Sequence, residues 1–254
     1  MTASNITVRS QMAFTFKGGV HPAEMKELAE NSALRRAPVP EKVYIPLAQH
    51  IGAPAKPLVK KGDQVKMGQK IGEAGGFVSC NIHSSVSGKV VNVTAWPDPL
   101  GRHVPTVIIE NDGQDEKEYM DEHEDFLGLA QEEIKKIAHE AGLAGMGGAT
   151  FPTFVKMSPP PDANIDTFIL NGAECEPYLT ADHRLMLEMP KEVAAGTALF
   201  TKGYSAAKGW IGIENNKPDA IEIMRKHAPE FNLEVSDLKT KYPQGAEKQL
   251  ITAI

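Results

Sequence analysis

The sequence predicts an α/β protein with two domains, a β-rich first half and a second half in which strands alternate with helices. Before about residue 115, valine and isoleucine occur in short runs separated by turn residues, which is typical of short strands. After it, segments with helical periodicity alternate with single apolar strands. Residues 114–125 are acidic with little hydrophobic periodicity, and they predict a solvated connector between the two halves.

Length and composition limit the possible functions. The 254 residues suffice for two separate cores, and a hydrophobic content of 41% is typical of a globular protein. A formal charge of −6 without a basic cluster argues against nucleic acid as a partner. No apolar run has the length of roughly 18 residues that a transmembrane helix needs. Residues 1–11 are polar and lack the apolar core of a secretory signal, so we expect a frayed tail.

The chain holds two cysteines, Cys80 and Cys175, which are far apart in the sequence. Two thiols cannot build a disulfide framework or a four-cysteine iron–sulfur site, so we expect a reducing, cytoplasmic compartment. Cys80 and His83 could ligate a metal together, but structural zinc needs four ligands. We therefore predict no metal site.

The first half contains a short internal repeat. Residues 59–65 are echoed by residues 65–71, and each unit places an apolar residue on either side of a Lys-x-Gly turn. Together with the turn at Gly88, this pattern resembles the barrel-sandwich hybrid module of lipoyl and biotinyl carrier domains. A carrier needs a lysine at an exposed hairpin tip, but residues 73–78 contain none. The pattern predicts the carrier fold with a structural or docking role.

The second half has a β-α-β-α-β order, which predicts a Rossmann-like parallel sheet flanked by helices. Gly142 is a natural cap for the first helix. In such sheets ligands bind beyond the carboxyl ends of the strands, so residues 171–177 and 214–217 are expected at one rim. The predicted elements are a helix over 131–142, a strand over 167–171, a helix over 190–202, a strand over 209–214, a helix over 217–227 and a strand over 232–235.

A glycine-rich run over residues 145–152 follows the first helix and leads to Lys156. Glycines let backbone N–H groups approach a ligand closely, so Gly145, Gly147, Gly148 and Lys156 are candidates for binding a phosphate. The run matches neither of the common nucleotide-binding glycine patterns. A tight turn at the helix exit, with Lys156 in solvent, is the alternative.

Two further polar stretches strengthen the nucleotide interpretation. Residues 171–177 supply the Asn171 amide, which can donate and accept hydrogen bonds, and the carboxylates of Glu174 and Glu176, which suit ribityl or ribose hydroxyls. The alternative is a polar loop that caps the next helix, beside a packed Cys175. Residues 242–247 form the third stretch. The three together predict a flavin nucleotide site.

Residues 182–184 read Asp-His-Arg and could suggest an acid–base pair. Their position at the start of an apolar helical segment instead predicts that Asp182 caps a helix and that Arg184 forms an ion pair. We assign no catalytic residue.

Residues 15–22, 45–54, 171–184 and 242–250 carry a resemblance to a known family. They resemble the C subunit of the Rnf electron-transport complex, a membrane ion pump that couples ferredoxin and NAD. The second half is also similar to the flavin- and NADH-binding subunit of respiratory complex I. By that resemblance Gly145, Gly147, Gly148 and Lys156 hold the FMN phosphate, Phe151 stacks on the NADH adenine, Asn171 and Glu176 contact flavin or nicotinamide nucleotide, and Tyr242, Gly245 and Glu247 form the far wall.

The chain departs from the complex I pattern at a few positions. Met146 stands at the position of an arginine and Thr150 at that of a glycine, while Ala173 and Ala246 replace acidic residues. Members of the Rnf C family also continue with two four-cysteine cluster motifs, so we expect two 4Fe-4S clusters beyond residue 254 and a chain that is an N-terminal fragment.

The resemblance implies an N-terminal arm over 1–30, a barrel-sandwich hybrid domain over 31–115 and a truncated α/β FMN/NADH-binding domain over 116–254. It implies a peripheral subunit on the cytoplasmic side of the membrane that moves electrons between NAD(H) and iron–sulfur clusters through FMN. Its partners would be other subunits of the complex, NADH and, indirectly, ferredoxin. The alternatives are a flavin-dependent cobalamin reductase and a docking fragment without a small-molecule site.

Overall fold

The structure is a computed structural model that describes residues 13–147 and 149–254. The expected frayed tail over 1–11 and the predicted site residue Gly148 lie outside the described residues. The chain forms two compact units, which we call the barrel unit, residues 37–164, and the sheet unit, residues 13–36 with 165–254. Residues 116–164 thus group with the barrel by their contacts, and the domain boundary expected near residue 115 stays a prediction.

The barrel unit contains two antiparallel sheets with a common core. One sheet has the strand order β1-β7-β6-β3 and the other β2-β4-β5. The core takes fully buried side chains from both, including Ile71, Val90 and Ile109. The predicted barrel-sandwich fold is therefore confirmed. The strands are β1 (Lys42–Pro46), β2 (Lys56–Pro57), β3 (Gln64–Val65), β4 (Lys70–Glu73), β5 (Ile82–His83), β6 (Gly88–Pro97) and β7 (His103–Asn111).

Helices α1 (Gln131–Glu140) and α2 (Thr153–Lys156) complete the barrel unit. Helix α1 ends as predicted, because Gly142 adopts a left-handed φ of 64°. A Cβ on Gly142 would lie 2.1 Å from the Asn81 carbonyl oxygen, so only glycine permits this close approach.

The hairpin tip that bears the lysine in carrier domains packs against α1 and α2. The Asn81 amide donates to the His139 carbonyl at 3.3 Å, and Lys70 pairs with Glu140 at 2.8 Å. At the tip itself, the Phe77 ring meets the Phe154 ring edge-on at a centroid distance of 5.8 Å. Where carrier domains have a modified lysine, the hairpin of this chain contacts the helices that precede and follow the glycine run.

The sheet unit is built on a parallel sheet with the order β10-β9-β8. Its core includes Ala194, Ile211, Ile213, Ala220 and Met224, all fully buried. The predicted alternation and the parallel sheet are confirmed, and Pro218 occupies the first turn of its helix. The elements are β8 (Thr167–Gly172), α3 (Ala181–Glu188), α4 (Pro190–Gly203), β9 (Lys208–Glu214), α5 (Pro218–His227), β10 (Leu233–Leu238) and α6 (Glu247–Ala253).

Residues 13–36 form an arm that belongs to the sheet unit. The Phe14 amide donates to the Asp237 carbonyl at 2.7 Å, and Val20 pairs with Tyr242 in an antiparallel bridge. The Phe14 ring also meets Trp210 edge-on at 6.3 Å. The arm therefore follows β10 and continues past its carboxyl end. Throughout the described residues, the helices are too short or too polar to cross a lipid bilayer.

Gly88 tests the packing of the barrel. A Cβ there would lie 2.0 Å from the Glu110 carbonyl oxygen, whereas one on Gly62, which also has a positive φ, would meet no atom within 4 Å. Gly62→Ala should lower the free energy of unfolding by about 1–2 kcal/mol, the penalty for a left-handed residue with a Cβ. Gly88→Ala should lower it by clearly more, because the backbone must also move to admit the Cβ. Chemical denaturation of both variants measures the difference, and equal losses would contradict the described register of β6 and β7.

Candidate functional site

The carboxyl ends of the three parallel strands meet at one rim of the sheet unit. Gly172 of β8 lies opposite Ile213 of β9, and Glu214 of β9 lies opposite Leu238 of β10. The segments that follow the strands, residues 173–179, 215–217 and 239–245, therefore lie next to one another. This arrangement confirms the rim expected from the sequence.

A buried ion pair joins these three segments. Glu214 and Lys217 have side chains about 1% exposed, with 3.4 Å between Nζ and Oε2. The Lys217 ammonium also donates to the Ala173 carbonyl at 2.7 Å and to Oδ1 of Asn216 at 2.9 Å. The other Glu214 oxygen accepts the Lys241 amide at 3.2 Å. Burial raises the pKa of Glu214 and lowers that of Lys217, each against the attraction of its partner.

The second and third sequence motifs are in direct contact. The Asn171 amide donates to the Gly245 carbonyl at 2.7 Å, and the Gly245 N–H donates to the Cys175 sulfur at 3.2 Å. A Cβ on Gly245 would lie 3.4 Å from both Ala173 Cβ and Cys175 Sγ. The fold thus brings together Asn171 and Gly245, two of the predicted binding residues.

Glu174 caps the next helix, which is the alternative that the sequence left open for this stretch. Its carboxylate accepts the Asp182 amide at 2.7 Å and the His183 amide at 3.3 Å. The expectation that Asp182 is the cap is therefore wrong, because Asp182 lies inside the first turn. The ion pair expected for Arg184 is present, with Glu188 at 2.7 Å. A role for Glu174 toward ribityl or ribose hydroxyls stays a prediction.

The remaining rim residues differ in exposure. Glu176 and Glu247 are exposed, and Tyr242 is 39% exposed, so these three predicted binding residues can be reached from solvent. Cys175 is half-buried, and burial raises the pKa of its thiol. The thiol is therefore protonated at neutral pH, which agrees with the packed role expected for it.

Gln244 is a rim residue that sequence reasoning missed. Its side chain is fully buried, and neither its amide nitrogen nor its amide oxygen has a partner within the described residues. An unpaired buried amide is costly and is usually satisfied by a ligand or an ordered water. Its position inside the third motif, between Tyr242 and Gly245, is the feature of the sequence that could have identified it.

The glycine run of the barrel unit forms a closed turn. The Gly145 amide donates to the Phe151 carbonyl at 2.8 Å, and the Thr150 amide donates to the Gly147 carbonyl at 3.0 Å. A Cβ on Gly145 would lie 3.3 Å from Nζ of Lys156, so the ammonium lies directly against the turn. The predicted residues Gly145, Phe151 and Lys156 are thus brought together.

The open space around the turn suits a phosphate-bearing ligand. A Cβ on Gly147 would meet no atom of the described residues within 4 Å, and the residue does not have a left-handed φ. Within the described part of the chain nothing requires glycine at this position, whereas a ligand close to the backbone would. Ala149 and Thr150 border a cleft of about 600 Å³, a volume typical of small-molecule sites, whose other lining residues belong to the barrel over 46–51 and 98–102.

A second cavity lies beneath the rim of the sheet unit. It has a volume of about 40 Å³, and Lys26, Cys175 and Glu214 are among its lining residues. This space accommodates one or two water molecules and is too small for a nucleotide. Elsewhere in the described residues, no group of three or more His, Cys, Asp or Glu side chains could hold a metal ion.

Two sequence families match the chain. The RnfC Barrel sandwich hybrid domain matches residues 14–114, and the Nuo51 FMN-binding domain matches residues 138–254. The first therefore covers the strands of the barrel, and the second covers the glycine run, the rim and all three strands of the parallel sheet.

Several curated proteins are similar to the chain over nearly its whole length. The C subunit of the proton-translocating ferredoxin:NAD(+) oxidoreductase complex of Clostridium ljungdahlii is 50% identical over 96% of the chain and 53% of the relative. The Na(+)-translocating counterpart of Acetobacterium woodii is 50% identical over 94% of the chain and 55% of the relative. The C subunit of an ion-translocating oxidoreductase complex of Rhodobacter capsulatus is 40% identical, with shares of 95% and 47%. The chain spans about half the length of these relatives.

The Glu214–Lys217 pair can be tested by mutation. Lys217→Met should destabilise the fold by roughly 3–5 kcal/mol at neutral pH, because it leaves Glu214 buried without its cation. The double variant Glu214→Gln/Lys217→Met should lose less stability than the sum of the losses in the two single variants. Denaturation curves at pH 7 measure all three losses, and additive losses would contradict a coupled pair.

The same variant should have a distinct pH dependence. Without Lys217, the already raised pKa of Glu214 should rise further above its usual value of 4.5. Folding then favours the protonated acid, so the stability of Lys217→Met relative to the wild-type chain should recover as the pH falls through that raised pKa. A constant difference between the two proteins from pH 7 to pH 5 would contradict this assignment.

Proposed function

We propose that this chain carries electrons between NAD(H) and further redox centres through bound FMN. It matches an RnfC barrel sandwich hybrid domain in its first half and a Nuo51 FMN-binding domain in its second half. The relatives at 50% identity are subunits of ferredoxin:NAD(+) oxidoreductase complexes that translocate protons or sodium ions. The parent protein of this chain is therefore proposed to be the C subunit of such a complex. The observation that supports this proposal most directly is the position of the Lys156 ammonium against the glycine turn.

The glycine turn is the proposed phosphate-binding element. A phosphate carries up to two negative charges, and Lys156 supplies a cation within reach of the Gly145 backbone. The open space beside Gly147 lets a ligand approach the backbone there. Met146, which stands where complex I has an arginine, is fully exposed and supplies no charge. Lys156 is therefore the principal cation that we assign to the phosphate.

The rim of the sheet unit carries the other residues that we propose as contacts of a flavin or nicotinamide nucleotide. Glu176, Tyr242 and Glu247 are exposed there, and the Asn171 amide is held in place by Gly245. Phe151 is the proposed stacking partner for the adenine of NADH. When bound, FMN supplies the hydride and single-electron chemistry, so these residues bind and orient and none needs to act as an acid or base.

Partners and location follow from the proposed complex. The chain would lie at the cytoplasmic face of the membrane, bound to the other subunits of the complex. Electrons would pass between NADH and ferredoxin by way of 4Fe-4S clusters in the parent protein. Reconstitution of the parent protein with its membrane subunits, followed by NADH-dependent reduction of the clusters, tests this part of the proposal.

The phosphate assignment has a direct test in the affinity for FMN. Lys156→Met should weaken FMN binding about 10–100-fold, the usual effect of losing a charge-assisted hydrogen bond. Riboflavin, which lacks the phosphate, should bind the variant and the wild-type chain equally. Gly147→Ala should also weaken FMN binding while the melting temperature stays unchanged, because the described residues leave room for a Cβ there. Quenching of flavin fluorescence measures these affinities.

Lys136→Met is the matched control, since Lys136 is an exposed lysine on α1. It should leave the affinity for FMN within twofold of the wild-type value, by the small effect expected of a screened surface charge. If Lys156→Met weakened FMN and riboflavin equally, the phosphate assignment would be wrong. A wild-type chain that binds neither flavin would contradict the proposed function itself.

A further inference from the structure

The arm places a buried lysine beneath the loop that follows β8. Lys26 is 5% exposed, and its ammonium donates to the carbonyl oxygens of Glu174 at 2.9 Å, Glu176 at 3.1 Å and Leu179 at 2.5 Å. An ammonium has three protons, so these bonds use its whole donor capacity. The three acceptors all belong to residues 174–179, more than a hundred positions away along the chain.

The loop needs such an anchor because of its backbone conformation. Glu174 and Tyr178 have left-handed φ angles of 50° and 70°, which are unfavourable for residues with a Cβ. Conformations of this kind persist when the surrounding contacts determine them. The carbonyls that Lys26 holds include that of Glu174 and those on either side of the second turn, at Glu176 and Leu179.

Neighbouring arm residues extend the same anchor to the end of β9. The Glu24 carbonyl accepts the Tyr178 amide at 2.9 Å, and its carboxylate accepts the Asn216 side-chain amide at 2.6 Å. The arm therefore connects the loops that follow two strands of the sheet. Lys241 fixes an earlier part of the arm, since its ammonium donates to the Gly18 carbonyl at 2.9 Å and lies 3.7 Å from the centre of the Phe16 ring.

We propose that Lys26 is a positioning residue for the nucleotide site, because its ammonium fixes the loop that presents Glu176 and the backbone around Cys175. This inference rests on the proposed function. The arm then contributes to the binding site indirectly, because it holds the loop over residues 174–179. Lys26 itself donates to backbone carbonyls and is buried away from solvent.

Lys26→Met tests the inference, since methionine keeps much of the length and apolar volume but removes the charge and the three donors. The thiol of Cys175 reports on the loop without any flavin, and the buried Cys80 is an internal reference. Alkylation of Cys175 by iodoacetamide should be at least about 10-fold faster in the variant, which corresponds to about 1.4 kcal/mol of lost protection. The Kd for FMN should rise by a similar factor.

Two further variants separate positioning from general stability. Phe14→Ala loosens the arm beside β10, because it removes the edge-on contact with Trp210, and it leaves the carbonyls of residues 174–179 untouched. It should change neither the rate of Cys175 alkylation nor the Kd for FMN by more than about threefold. Lys26→Arg keeps the charge and several donors, so its rate of Cys175 alkylation and its Kd for FMN should lie between those of the wild-type chain and of Lys26→Met. Should Lys26→Met fail to fold, Lys26→Gln removes the charge with less loss of hydrogen bonding and serves in its place.

The outcomes distinguish this inference from the function on which it rests. A wild-type chain that binds no FMN, with Cys175 protected by Lys26, overturns the proposed function and leaves the loop anchor supported. Unchanged alkylation and unchanged affinity in Lys26→Met overturn the inference. Equal effects of Lys26→Met and Phe14→Ala also overturn it, because they would show that the arm stabilises the fold without positioning the loop.

Discussion

The buried pair of Glu214 and Lys217 is the interaction on which the rim depends. The Lys217 ammonium donates to the backbone after β8 at Ala173, and the Glu214 carboxylate accepts from the backbone after β10 at Lys241. Glu214 is the last residue of β9, and Lys217 follows it by three positions. Parallel strands have no hairpin turns to fix their ends relative to one another. A pair of buried charges can do so, because each must find polar partners in the interior and the strand ends supply them.

Around this pair, charged and polar groups act mainly on the backbone. Glu174 caps α3, Lys26 holds three carbonyls of the loop after β8, and Asn171 joins that loop to Gly245. The residues left exposed, Glu176, Tyr242 and Glu247, are then presented on a fixed frame. Such preorganisation suits a site that must orient a cofactor and leave the chemistry to it. The barrel unit shows the same principle, because its hairpin contacts the helices on both sides of the glycine turn.

Much of the fold could be predicted from the sequence because its signals are local. The helical face of Ile134 and Ala138, the cap at Gly142 and the apolar strand ending at Glu214 all follow from spacing and turn chemistry. The rim could be predicted as well, since the order of strands and helices determines where the strand ends lie. The strand β10 extends to Leu238, beyond its predicted end at residue 235, because Asp237 and Leu238 pair with β9.

The buried lysines could not be predicted, because a lysine is normally exposed and its sequence neighbours do not reveal a distant partner. Lys26 and Lys217 meet carbonyls that folding alone brings near. Glu174 rather than Asp182 caps α3 for a similar reason, since the left-handed backbone at Glu174 turns its carboxylate toward the helix. The grouping of residues 116–164 with the barrel likewise depends on contacts such as Lys70 with Glu140.

The glycine turn of the barrel unit is proposed to hold the phosphate of FMN. Two-dimensional NMR of the labelled chain, recorded without and with saturating FMN, tests it most directly. FMN should shift the amide signals of residues 145–147 and 149–151 and leave those of Tyr44 and Trp96, which are exposed on the barrel, unchanged. Shifts confined to the strands of the barrel, with the glycine turn unaffected, would contradict this proposal.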